Sequence, residues 1–219
     1  MPLLFAVALV TESAAQDISK IDKNFEPQKI GNIEFCFYNA KNAPFKVEGL
    51  PWRKEGGEFS RLPKGITKEN ASAGVIGLCS HTSGVAVRFS TDSKMVAVKY
   101  TTRGSGDMGH MPRSGSSGFD LYVKGTDGKY SFLKNFHQRN LAEMGKVPYS
   151  EIGAKFGDSK MREYALYFPR YCGVKDVEIG VLPGAKIEPP KPHKVGKPIV
   201  FYGSSITQGG CASRPATVY

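Results

Sequence analysis

From Gly84 onward, apolar residues recur at every second position. Val85, Val87 and Phe89 alternate with Ala86, Arg88 and Ser90. The polar run 91–94 interrupts them, and Val96, Val98 and Tyr100 resume on one face. A period of two with one apolar face marks half-buried strands, and the short polar break predicts a hairpin. A second hairpin is predicted where Phe119, Leu121 and Val123 alternate with Asp120, Tyr122 and Lys124. There Gly125-Thr126-Asp127-Gly128 turns the chain, and Tyr130, Phe132 and Lys134 return it. A third pair is read in Tyr164, Leu166 and Phe168, then Val177, Ile179 and Val181, with a turn around Cys172-Gly173. Many short strands without a long helical period predict a mainly β fold, an antiparallel β-sandwich of jelly-roll type.

The pattern breaks after Val181. Residues 184–198 are rich in proline and lysine, which disfavours a regular strand or helix and predicts an extended linker. An apolar run then follows, Pro198-Ile199-Val200-Phe201-Tyr202, and feeds into Gly203-Ser204-Ser205. That is how a buried parallel strand ends at the carboxyl edge of an α/β sheet, where catalytic loops gather. The chain thus divides into a sandwich over residues 17–183, a linker over 184–198, and the first strand and turn of a truncated α/β domain over 199–219. Residues 1–16 precede the sandwich.

Composition supports the β reading: 25 Gly and 14 Pro supply turns, while 13 Phe and 10 Tyr favour strands. The formal net charge of +10 is spread along the chain rather than gathered in a run, and no zinc-finger or RNA-binding motif occurs. It reads as a solvated basic surface, and no nucleic-acid partner is expected. The apolar run 3–10 is far too short to span a bilayer. With Ser13-Ala14-Ala15 ahead of Gln16 it reads as a secretory signal, which predicts a secreted or periplasmic protein; a short buried helix or strand is the alternative. Cys36, Cys79, Cys172 and Cys211 are spaced too widely for a metal knuckle. Export permits disulfides, the three full pairings stay open, and free buried thiols are an equal alternative. No metal or other cofactor is expected.

A serine on a strand-to-helix turn is a candidate nucleophile. The Gly-x-Ser-x-Gly elbow does not fit, because Thr207 stands two residues after Ser205 and Ile206 two after Ser204. The stretch 202–215, YGSSITQGGCASRP, instead resembles the first motif of the SGNH (GDSL) hydrolases, with Ser204 where many members carry aspartate. Gly118-Phe119-Asp120-Leu121-Tyr122 resembles the Gly-x-Asp-Leu-Tyr signature of the sandwich that precedes the catalytic domain in two-domain bacterial members. Residues 59–63 and 83–89 are similar to that sandwich as well. The resemblance spans residues 33–219. It implies a serine esterase in which Ser205 is the nucleophile and lends its backbone N–H to the oxyanion hole. Each such donor is typically worth about 3 kcal/mol. It also implies a histidine base and further oxyanion donors in motifs outside this chain, so the chain alone is expected to be inactive. Its expected partners are the missing catalytic domain and an ester-bearing small molecule or acetylated glycan. The rival reading is a non-catalytic carbohydrate-binding or docking module.

Other candidates weigh less. Asp107 and His110 lie on the long glycine-rich loop 103–117 and are candidates to reach substrate or the catalytic domain. Trp52, Tyr122, Tyr167 and Tyr171 are candidates to stack on sugar rings, although aromatics in sandwiches usually fill the core. Asp120 points away from Phe119 and Leu121 and is expected to fix a turn or a neighbouring strand. His137 and His193 precede the serine and do not match the family's histidine motif.

Overall fold

The computed structural model describes residues 27–218; the expected signal segment, residues 1–16, lies outside them. Among the described residues eleven strands run in order: β1 (Gln28–Ile30), β2 (Ile33–Asn39), β3 (Lys46–Glu48), β4 (Ala86–Thr91), β5 (Met95–Thr102), β6 (Phe119–Lys124), β7 (Tyr130–Phe136), β8 (Tyr149–Lys155), β9 (Arg162–Tyr167), β10 (Val174–Val181) and β11 (Ile187–Glu188). Three short helices join them: α1 (Ala73–Cys79), α2 (Arg113–Ser116) and α3 (Ser205–Gln208), with a 3-10 turn at Pro215–Thr217. The strands form two antiparallel sheets, ordered β1-β2-β10-β5-β8 and β11-β4-β9-β6-β7, with β3 also paired to β4. Among the described residues no helix is long and apolar enough to cross a membrane.

The alternating residues meet between the sheets. Val96, Val98, Tyr100, Val177 and Ile179 from one sheet pack with Val87, Phe89, Phe119, Leu121, Tyr164 and Leu166 from the other. Phe168 is buried, with Phe59 and Phe119 edge-on to its ring at 4.9 and 5.1 Å. Truncating such a ring typically costs about 3–5 kcal/mol. A second cluster lies on the outer side of β5, where Phe35, Phe37, Met95 and Ala97 are covered.

The β6–β7 hairpin forms as expected. Gly128, at φ +81°, closes its turn, and a register shift falls between Leu121 and Tyr122. The other two expected hairpins do not form. β4 pairs with β9, β3 and β11, while β5 pairs with β10 and β8, so residues 91–94 cross from one sheet to the other. β9 and β10 likewise lie in different sheets. Alternation marks which face of a strand is buried. It is the same whether the next strand lies beside it or across the core.

The stretch 184–198 also departs from expectation. Ile187 and Glu188 form β11 on Thr91 and Ser90, beside the place where β3 pairs with the same strand. An edge position suits a short strand bounded by prolines, because only one side of it has to bond. The polar face of β4 is therefore covered rather than solvated, and Arg88 is only 4% exposed. Arg88 bonds Glu163 Oε1 at 2.6 Å, Glu48 Oε1 at 2.9 Å and the Lys191 carbonyl at 2.8 Å. Tyr130 Oη and the Lys191 N–H donate to Glu163, and His193 Nε2 lies 2.8 Å from Glu48 Oε1. Burial alone would raise the Glu163 pKa, but hydrogen bonds from Tyr130 and Arg88 outweigh it and hold the carboxyl down at about 2. All four cysteines are free thiols.

Candidate functional site

The apolar run before the serine is not a strand. Ile199 and Val200 are 82% and 80% exposed, and Tyr202 is fully exposed. A buried parallel strand needs neighbours on both sides, and both sheets of the sandwich are complete without it. The turn behind it is well defined. Ser204 stands at the N-cap position of α3 without a side-chain capping bond, and Ser205 is the first helical residue, with an exposed side chain. A Cβ on Gly203 would press on the Thr207 side chain, so a larger residue there would have to displace it. Gly209, at φ +92°, ends the helix in the left-handed conformation, and its N–H bonds the Ser205 and Ile206 carbonyls.

The sandwich grips this segment from below. Tyr171 Oη donates to the Ser205 carbonyl oxygen at 3.0 Å. Gln208 Nε2 donates to the Arg170 carbonyl at 2.9 Å and meets His81 Nδ1 at 3.2 Å, while Ser83 Oγ donates to the Gln208 carbonyl at 2.8 Å. Further on, Ser114 Oγ donates to the Ser213 carbonyl at 2.7 Å, and Arg170 Nη2 donates to the Ala212 carbonyl. Asp120 Oδ1 accepts from Asn135 Nδ2 at 2.8 Å on the neighbouring strand, and its Oδ2 accepts from the Ala216 N–H at 3.1 Å. Arg214 lies 3.6 Å from the same oxygen, with its guanidinium 3.9 Å over the Phe132 ring.

Asp120 and Arg170 are both fully buried. Burial raises the Asp120 pKa, opposed by Asn135, the Ala216 N–H and the two arginines. Burial lowers the Arg170 pKa, opposed by Asp120. Burial also lowers His81, helped by Arg61. Cys211 is exposed beside Gly210.

The sequence candidates fare unequally. Ser205 sits exposed on its turn, and Asp120 binds a neighbouring strand and a turn, as expected. Tyr122 packs edge-on to Phe132 and Tyr167, and Arg214 Nη1 donates to its hydroxyl at 3.4 Å, so it adjoins the segment rather than an open sugar platform. Trp52 is 62% exposed, and Asp107 and His110 are exposed on their loop. Among the described residues, the sandwich side chains bonded to residues 205–216 are His81, Ser83, Ser114, Asp120, Tyr122, Arg170 and Tyr171. Trp52, Asp107 and His110 are not among them. His193 is held by Glu48 and Arg88. His81, Ser83, Ser114 and Arg170 were not legible as site residues; the one available signal was the resemblance of residues 83–89 to the family's sandwich. Among the described residues no three His, Cys, Asp or Glu side chains group as a metal site.

Residues 35–187 match the family GxDLY, the N-terminus of SGNH-hydrolase-type esterases, and residues 196–219 match the GDSL-like lipase/acylhydrolase family. No curated protein matches. A protein from Bacteroides ovatus described as a GDSL-like lipase is 26% identical, with a TM-score of 0.69, covering 83% of this chain and 50% of its own. The salicylyl-acyltransferase SsfX3 of a tetracycline biosynthetic pathway is 17% identical, with a TM-score of 0.55, covering 73% and 43%. A family two carbohydrate esterase from Cellvibrio japonicus is 11% identical, with a TM-score of 0.49, covering 80% and 41%. This chain thus spans about half the length of the solved structures it matches. The match over residues 35–187 takes in well over half of the chain, which belongs to the GxDLY family of N-terminal regions of SGNH-hydrolase-type esterases.

Proposed function

We propose that this chain is the N-terminal part of a serine esterase in which Ser205 is the acyl-transfer nucleophile. The observation that carries the reading is an exposed serine at the head of a short helix, just after a Gly-Ser pair, inside the segment that matches GDSL-like acylhydrolases. In the proposed reaction, Ser205 Oγ attacks the ester carbonyl as a base takes its proton. The alcohol leaves with a proton, and water then releases the carboxylic acid from the acyl-serine. The base and the remaining oxyanion donors would come from residues after Tyr219. Acetyl esters of carbohydrates are the proposed substrate class, supported by the resemblance of the sandwich-plus-hydrolase arrangement to bacterial carbohydrate esterases. The run 3–10 supports export to the periplasm or medium, and amino-terminal sequencing of the mature protein tests it: retention of residues 3–10 contradicts export.

The test of function compares this 219-residue chain with the longer protein that continues past Tyr219. The longer protein should hydrolyse p-nitrophenyl acetate and release acetate from acetylated xylan, and Ser205→Ala should abolish both. The 219-residue chain should show no serine-dependent turnover. Full activity in Ser205→Ala refutes the nucleophile. Activity on p-nitrophenyl acetate without acetate release from acetylated glycans refutes the substrate class alone.

A further inference from the structure

The bonds under the serine turn argue against a detachable sandwich. A binding module joined by a linker presents a solvated surface to its neighbour. Here two fully buried charged groups on the face toward residues 205–216, Asp120 and Arg170, bond that segment's backbone. Asp120, the aspartate of the Gly-x-Asp-Leu-Tyr signature, spends one oxygen on its own sheet and the other on the Ala216 N–H. Arg170 is fully buried, and among the described residues its Nε and Nη1 lack partners while Nη2 holds the Ala212 carbonyl. Burying a charged group costs stability unless it is hydrogen-bonded, and for both residues a bond to 205–216 supplies part of that pairing. The bond nearest the chemistry comes from Tyr171, whose hydroxyl holds the carbonyl of Ser205 itself.

Resting on the reading of Ser205 as nucleophile, we infer that the sandwich is a positioning part of the catalytic centre, and that Tyr171 is a positioning residue for the nucleophile. The Ser205 carbonyl accepts from the Gly209 and Gly210 N–H groups at 3.1 and 3.0 Å and from Tyr171 at 3.0 Å. The first two bonds are internal to the turn and leave it free to move as a body. Only the Tyr171 bond ties this carbonyl to the sandwich. Gln208 and Ser83 tie the other end of the four-residue helix to the same framework. Together they fix the axis and rotation of α3, and hence where Ser205 Oγ points. Catalysis by an oriented nucleophile is sensitive to misplacement on the ångström scale, whereas binding of a small ester is not.

The test is Tyr171→Phe in the longer protein that continues past Tyr219, with Ser205→Ala and Gln208→Ala alongside. The ring of Tyr171, edge-on to His81, is retained in the phenylalanine variant. Tyr171→Phe is expected to lower kcat for p-nitrophenyl acetate about threefold to tenfold, with KM within about twofold and an unchanged pH profile. Gln208→Ala is expected to act in the same direction. Unchanged kcat in Tyr171→Phe overturns the inference, as does a loss seen only in KM or matched by a fall in melting temperature. If Ser205→Ala retains activity, the nucleophile reading fails. If Ser205→Ala is dead while Tyr171→Phe equals wild type, the positioning inference fails alone.

Discussion

Replacing Glu163 with glutamine tests the buried network that joins the sandwich to the stretch after β10. The Glu163 side chain is 7% exposed and contacts Arg88, Tyr130, Lys124 and the Lys191 N–H. Its carboxyl is held from 4.5 down to about 2. A folded-state pKa below the unfolded value contributes stability above the unfolded pKa, and that stability is lost as pH falls through the folded one. The displacement corresponds to about 3 kcal/mol at neutral pH. In Glu163→Gln the amide oxygen still accepts a bond, and Glu48 still faces Arg88, so the charge is only partly stranded. The expected loss is about 2–3 kcal/mol at pH 7, toward the lower end for a broken buried pair. Urea unfolding followed by far-ultraviolet circular dichroism, at several pH values between 7 and 2, measures it. Wild type should lose most of this increment between about pH 4.5 and 2, and the variant should show a flatter acid limb. Trypsin cleavage after Lys194 should also become faster. A variant within about 0.5 kcal/mol of wild type at pH 7, with the same acid slope, would refute the reasoning.

Three further outcomes follow from the packing. Gly49→Ala should destabilise the fold by about 1–3 kcal/mol in denaturant titration, because Gly49 has φ +81° and a Cβ would strike the Gly84 carbonyl. Phe168→Ala should cost about 3–5 kcal/mol in the same measurement, because the ring is wedged between Phe59 and Phe119. In the native protein, exposed Cys211 should be the thiol that reacts fastest with a disulfide reagent, and Cys172 the slowest, since burial raises its pKa; peptide mapping of the labelled cysteines reads this directly.

What the sequence revealed follows from the range of the forces involved. Strand faces are local, so Val85, Val87, Phe89, Leu121 and Ile179 were legible from their two-residue period. The Gly125–Gly128 turn was legible because its residues close it by themselves. Pairing partners are not local: the 91–94 and 172–173 turns look the same whether they join neighbours or cross between sheets. Arg88 and Ser90 read as solvated because what covers them, β11 and Lys191, lies about a hundred residues away. The serine turn was visible in its glycines and in its family resemblance. The groups that hold it were not, since His81, Ser83, Ser114 and Arg170 carry no spacing that links them to residue 205. Asp120 was the exception, because its place in the Gly-x-Asp-Leu-Tyr signature singled it out for bonding to a turn or a neighbouring strand.

Ser205 is proposed as a reactive nucleophile whose turn is held by the sandwich. The most direct measurement is to treat the longer protein with a fluorophosphonate, digest it and locate the adduct by mass spectrometry. A single stoichiometric adduct on Ser205 is expected, with labelling that slows in Tyr171→Phe. An adduct on Ser204, or no serine adduct while esterase activity persists, would contradict it.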